Sequence, residues 1–170
     1  LGARVIAVRP PKHIRERHGV RDAVTRSLEA GKEVETLDFN IKVERDVLTA
    51  LIKMADVLIT NFSVRTLNRF KIDASSCAKI KPELIHVWMP GFASADESPP
   101  VAWEAVLMAS SGVFRDMGVN RQLCGVAASY SPLPLASAYA SVWAALAACA
   151  ALYRTARSGE ALGEAIEVPL

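Results

Sequence analysis

Three short β-branched runs constrain this chain more than any other feature. They are "RVIAV" (residues 4–8), "DVLIT" (56–60) and "LIHVW" (84–88). Each is too short for a stable helix, and each runs into turn-forming residues, as strands of a buried sheet do. The first is closed by Pro10 and Pro11, which a central strand does not tolerate. Helical patterns separate the runs. Between residues 43 and 54, Val43, Val47, Leu48, Leu51 and Ile52 take amphipathic spacing, with acidic residues near the start. Shorter helices are expected over 66–70 and 74–80, the second stopped by Pro82. Ahead of these, "VRDAVTRSLEAGK" has helix composition ending on a Gly, and "EVETLDF" alternates like a strand. Strands alternating with helices predict parallel pairing, hence an α/β fold with a Rossmann-like parallel sheet flanked by helices. Ligands of such sheets bind beyond the carboxyl ends of the strands, here "VRPP", "TNFSVRT" and "MPGFAS".

The second half reads differently: a helix beginning near Trp103, a loop rich in small residues over 118–134, an Ala-rich segment and a last strand in "EAIEVPL". The Ala-rich run 133–153 is interrupted by Pro134, Ser137 and Ser141, and alanine is nearly neutral toward lipid, so a buried helix is expected rather than a membrane span. At 170 residues and 51% apolar, the chain suffices for one core, so one domain or part of one is expected. Its opening residues read as a loop entering a strand, without initiator Met or signal peptide, as expected of a segment of a longer chain. Twenty basic and eighteen acidic residues leave a net charge of +2, which lacks the basic excess of a nucleic-acid binder. The local positive charge in "RPPKHIRERHGVR" (9–21) is either a solvated loop or a patch that meets phosphates. Cys77, Cys124 and Cys149 share no metal-ligand spacing and suit reduced, packed thiols in a cytosolic protein.

No Gly-rich phosphate loop, HExxH, CxxC or GxSxG occurs, and the histidines are scattered, with His86 inside a strand reading as a core residue. Carboxylates remain. Glu104 opens a helix straight after "SPPVAW". It is either a charge complementing the helix dipole or a nucleophile toward an activated thioester carbonyl, with loops at Gly91 and Gly125 as candidate oxyanion donors. Spacing leaves both open.

Five blocks in order resemble the class III CoA-transferases, the CaiB/BaiF-like family. "LGARVIAVRPP" is similar to that family's "LGA-x-V-I-x-V-E-x-P", "LEAGKEVETLDF" to "NRGKRS-x-x-LDL", and "ADVLITNFSVRTLNRF" to "ADVLIENFRPGTLERL". "KPELIHVWMPGF" is similar to "NPRLIYCSISGFG", and "ALYRTARSGEALGEAIEVPL" to "ALRERERTGRGQ-x-VDVSL". The resemblance implies an incomplete large domain spanning residues 1–170, without the family's N-terminal segment or small domain. Coenzyme A, as the thioester substrate and not a permanent cofactor, would meet Asn61 as hydrogen-bonder and Phe62 as apolar wall, although Phe62 also suits a core contact. Arg69 and Lys32 would meet its phosphates, the former as a forked donor and the latter as a point charge. The stretch "AWEAVLMASSG" is similar to "GYDLIAQAMSG", which places Glu104 at the family's nucleophilic Asp.

Other positions depart from the pattern: Arg9 for an acidic residue, Ala93 for Gly, and Ser137 and Ser141 for the Asp and Gly of "DLLAG". Two functions follow from the resemblance. One is a cytoplasmic CoA-transferase passing coenzyme A between an acyl-CoA and a carboxylic acid through an acyl intermediate on Glu104. The other is a catalytically silent coenzyme-binding or structural half of a tandem protein. Acyl-CoA racemisation ranks last, since no His precedes Glu104 in the loop "VWMPGFAS". Neither nucleic acid nor membrane is an expected partner; an interlocked homodimer or a tandem-domain partner is.

Overall fold

The computed structural model describes residues 2–17, 22–93, 101–116, 124–125, 127–128, 130–160 and 162–170. These form two compact units, Leu1–Met54 and Ala55–Leu170.

In the first unit, β1 (Ile6–Arg9) pairs in parallel with β2 (Glu33–Thr36), Ile6 opposite Glu33 and Arg9 opposite Thr36. Between them run α1 (Lys12–Arg17) and α2 (Asp22–Glu29), and α3 (Lys42–Met54) follows β2. Part of the basic segment is therefore helical where a loop was one expectation; Pro11 precedes the first turn of α1, whose Ile14 N–H bonds to Pro11 O at 3.0 Å. Residues 18–21 of that segment lie outside the described residues. The strand expected in "EVETLDF" covers only its first four residues, and Leu37 beyond it is buried. Leu48 and Ile52 face inward from α3, one helical turn apart, as the amphipathic spacing requires.

The second unit opens with β3 (Val57–Thr60), α4 (Val64–Phe70), α5 (Ala74–Ile80) and β4 (Ile85–Trp88). After β4 come α6 (Glu104–Ser110), α7 (Val113–Asp116), α8 (Leu135–Ser158) and β5 (Glu164–Glu167). The three strands form a parallel sheet in the order β3-β4-β5. Central β4 is buried through Ile85, His86 and Val87, the near-continuous burial of a parallel strand covered on both faces. Ser63 and Asp73 cap α4 and α5 by accepting the backbone N–H groups of Thr66 and Ser76. Gly159, at φ 70°, ends α8 in the left-handed conformation.

α8 departs from the expected buried helix. Only its stripe Ala140, Ala144, Ala148 and Ala151 is buried, the last three packed with Ile85 and Val87 of β4. Tyr139, Val142, Trp143, Leu146, Leu152 and Tyr153 are exposed. Small side chains let the helix backbone approach the sheet, so the alanines face inward and the large residues outward, reversing the usual size order. By length and composition α8 could cross a membrane; its alanine face instead packs on the sheet. The cysteines also differ from the expectation of packed thiols: all three are free, yet only Cys77 is buried, while Cys124 and Cys149 are exposed.

Candidate functional site

Asn61 and Phe62 stand at the carboxyl edge of the three-stranded sheet. β3 ends at Thr60, and Asn61 and Phe62 follow at once, both exposed, before Ser63 caps α4. Trp88, the last residue of β4 and the register partner of Thr60, donates its indole N–H to the Phe62 carbonyl at 2.8 Å. This bond ties the turn after β3 to the end of β4. Arg69 lies exposed on the same short helix, its guanidinium 5.0 Å from the centre of the Phe70 ring.

A close approach brings the other candidate to this edge. Gly91, three residues beyond β4, packs so tightly on Ala102 that a side chain at Gly91 would place its Cβ 1.9 Å from the Ala102 Cβ. Glu104 comes two residues later, as the first residue of α6. Its own helix has no side-chain cap, since Trp103 at the N-cap makes no such bond. The carboxylate reaches instead to the start of α8. Oε1 accepts the Ala136 N–H at 2.7 Å and the Ser137 N–H at 3.3 Å; Oε2 accepts the Ser137 N–H at 3.2 Å and the Ser137 hydroxyl. The first turn of α8 holds no acidic residue, and Pro134 gives it no side-chain cap. Glu104 thus satisfies from another helix the donors that a helix start leaves orphaned, and places its charge at the positive end of a 24-residue helix. The donors that meet Glu104 come from α8.

Lys32 belongs to the first unit. It stands exposed in the bend before β2, where Gly31 at φ 76° makes the turn and the Lys32 N–H bonds to Glu29 O at 3.0 Å. Ser137 and Trp88 escaped sequence reasoning. Ser137 reads only as a departure from a motif and Trp88 as strand core; no local pattern announces that a residue 33 positions away bonds to Glu104.

Thr60 and His86 are buried polar residues of the sheet. His86 places Nε2 3.1 Å from Thr60 Oγ1, with Nδ1 left without a partner, as the core residue expected of it. Burial pushes its pKa below the usual histidine value, partly opposed by the Asp73 charge. Burial pushes the Asp73 carboxyl up, but the Ser75 and Ser76 hydroxyls and the Ser76 N–H outweigh it and bring the pKa down to about 2. Burial also lifts the Cys77 thiol to about 11, so it is protonated and inert. Among the described residues no group of three or more His, Cys, Asp or Glu side chains could hold a metal ion.

The chain is 37% identical over its whole length to the CoA-transferase/lyase DddD of Marinomonas sp., of which it covers 20%. It is 27% identical to the acetyl-CoA:oxalate CoA-transferase of Acetobacter aceti over 69% of this chain and 32% of that one. The chain therefore spans about a fifth to a third of the curated relatives it matches. A CAIB/BAIF family protein from Brucella suis superposes with a TM-score of 0.66 at 25% identity, over 80% of this chain and 35% of that one. A hypothetical protein from Mycobacterium tuberculosis superposes at 0.75 with 20% identity, over 99% and 47%, a likeness of fold alone. The sequence model of CoA-transferase family III matches residues 1–170, and with these relatives and this parallel α/β architecture the chain belongs to CoA-transferase family III.

Proposed function

We propose that the parent protein moves coenzyme A between carboxylic acids and that Glu104 carries the acyl group between them. The observation behind this reading is the setting of Glu104. It is half-buried, it stands beside the carboxyl edge of the sheet, and a helix N-terminus fixes the plane of its carboxylate. Such a group attacks the thioester carbonyl of an acyl-CoA, expelling coenzyme A thiolate and forming a mixed anhydride. The thiolate then attacks the Glu104 carbonyl, releasing the donor acid and leaving coenzyme A on Glu104 as a thioester. An acceptor carboxylate reverses both steps and departs as the new acyl-CoA. Asn61 and Phe62 would flank the coenzyme, with Arg69 and Lys32 on its phosphates. Coenzyme A passes through as substrate, in a cytoplasmic enzyme whose second subunit or tandem domain covers the aromatic face of α8.

A second reading is favoured by the same bonds. Both oxygens of Glu104 are engaged by α8, which suits a structural tether in a catalytically silent half. One experiment separates the readings. The full-length parent is incubated with a panel of acyl-CoA thioesters, quenched with hydroxylamine and digested for mass spectrometry. A hydroxamate on Glu104, absent in Glu104→Gln, supports the transferase; an adduct only on a carboxylate outside this segment makes it the silent half.

A further inference from the structure

We infer that the start of α8 is the oxyanion and leaving-group site for the step in which Glu104 is itself attacked, with Ser137 a catalytic residue. The inference rests on the reading of Glu104 as the acyl carrier, and extends it to the atoms around that carboxylate.

The two oxygens of Glu104 are held differently. Oε1 faces two backbone N–H groups, of Ala136 at 2.7 Å and Ser137 at 3.3 Å. Backbone donors cannot turn away. Oε2 faces the Ser137 hydroxyl and the Ser137 N–H at 3.2 Å, and a hydroxyl can rotate off. Once the hydroxyl has turned, Oε2 keeps only the longer Ser137 N–H that it shares with Oε1, so it is the less firmly held oxygen and the one that attacks a thioester, while Oε1, on the 2.7 Å Ala136 N–H, stays behind as the carbonyl oxygen of the acylated side chain. When coenzyme A thiolate adds to the Glu104 carbonyl carbon, a C–S bond forms and the carbonyl electron pair moves onto Oε1. That oxyanion develops where the Ala136 N–H already lies at hydrogen-bond distance, the geometry an oxyanion hole requires. Collapse then breaks the bond to Oε2, which leaves within the donor carboxylate carrying the negative charge. The Ser137 hydroxyl, turned back toward Oε2, donates to it as it leaves. The helix dipole favours negative charge at both oxygens.

The donors are available because the first N–H groups of an α-helix have no partner within the helix. In α8 the first N–H bonded in helical fashion is that of Ala138, to Pro134 O at 3.0 Å. The N–H groups of Ala136 and Ser137 precede it and point out of the helix end at Glu104.

The test uses the full-length parent in single turnover with acetyl-, propionyl- and succinyl-CoA, following release of the free acid and the fraction of Glu104 trapped as hydroxamate. Ala136→Pro removes the shorter of the two Oε1 donors, an N–H that makes no bond within the helix; Ser137→Ala removes the hydroxyl, and Ser137→Thr keeps one. Loss of one such donor slows acid release by about 10²- to 10³-fold. Because only the second step slows, the adduct on Glu104 shifts from coenzyme A thioester toward acyl anhydride in Ala136→Pro and Ser137→Ala, read by intact mass before the hydroxylamine quench, while the rate falls. Ser137→Thr recovers most of the rate. A merely structural role lowers rate and trapping together, in proportion to folded protein. That result, or unchanged rates in folded Ser137→Ala, overturns the inference while Glu104 remains the carrier. Absence of any Glu104 adduct in the unmodified protein overturns the carrier reading and this inference with it.

Discussion

Replacing Glu104 by alanine tests the tether between α6 and α8 without reference to catalysis. The substitution leaves the Ala136 and Ser137 N–H groups without the carboxylate that accepts them at 2.7 and 3.2 Å. Loss of a helix-capping acceptor costs about 1 kcal/mol, and loss of the charge at the helix start about 0.3–1 kcal/mol more. The site is half-buried, so water partly replaces the lost acceptor, and the total stays near 1–2 kcal/mol. An opening equilibrium shifted by that amount changes by roughly 5- to 30-fold. The assay is native-state amide exchange on the parent protein, resolved to peptides covering the first turn of α8. Ala136 and Ser137 should exchange about 5- to 30-fold faster in Glu104→Ala, whereas α5, capped by Asp73, keeps its protection. Glu104→Gln keeps one acceptor and falls between. Unchanged exchange at Ala136 and Ser137 would refute the tether.

Gly163→Ala should detach β5, because its Cβ would stand 2.0 Å from Pro82 O and 3.0 Å from Leu84 O, both backbone atoms; circular dichroism and exchange of residues 164–167 read the loss, and native protection would contradict it. His86 has a folded pKa below its unfolded value of about 6.5, so its contribution is complete above that value and is lost as pH falls through it toward the folded pKa; denaturation between pH 7.5 and 5 should show this slope flattened in His86→Gln. Trp88→Phe keeps a ring but removes the N–H that holds the Phe62 carbonyl at 2.8 Å, and should weaken coenzyme A binding by calorimetry up to about tenfold, with equal affinity contradicting a role for that turn. Glu104→Asp and Ser137→Asp, measured singly and together by thermal unfolding, should be non-additive by about 0.5–3 kcal/mol, since the side chains bond each other; strict additivity would show them independent.

The strands and most helices were legible because each obeys a local rule. β3 and β4 are β-branched runs bounded by turn residues, and α3 keeps its apolar residues on one face. The outward face of α8 was not legible. Its hydropathy is that of a buried helix, and only the sheet, which admits nothing larger than alanine at close approach, decides which side turns in. The basic segment misled for a related reason: charge suggests solvent, and α1 is both charged and helical. At the candidate site, sequence brought Glu104, Asn61 and Phe62 forward, but their partners depend on contacts between distant positions. Trp88 reaches Phe62 across two strands, and Ser137 reaches Glu104 across two helices. No spacing rule spans such distances.

Two departures from the family pattern become one feature in the structure. Along the sequence, Glu104 for Asp and Ser137 for Asp are two separate departures that the resemblance implies. In space they are bonded to each other. A helix start with neither its own cap nor an acidic residue in its first turn lacks an acceptor, and a carboxylate from outside supplies it. The longer Glu side chain gives reach that Asp lacks by one methylene, and Ser137 gives up a charge that would have faced that carboxylate at hydrogen-bond distance. Two carboxylates so close would repel, and one of them would hold a proton. With Ser137 in place, the single charge at this helix start belongs to Glu104, and the neutral hydroxyl is a donor to it. The pair therefore keeps one carboxylate at the site, carried on α6 and held by α8, whether the parent protein uses it to carry acyl groups or only to hold the two helices together.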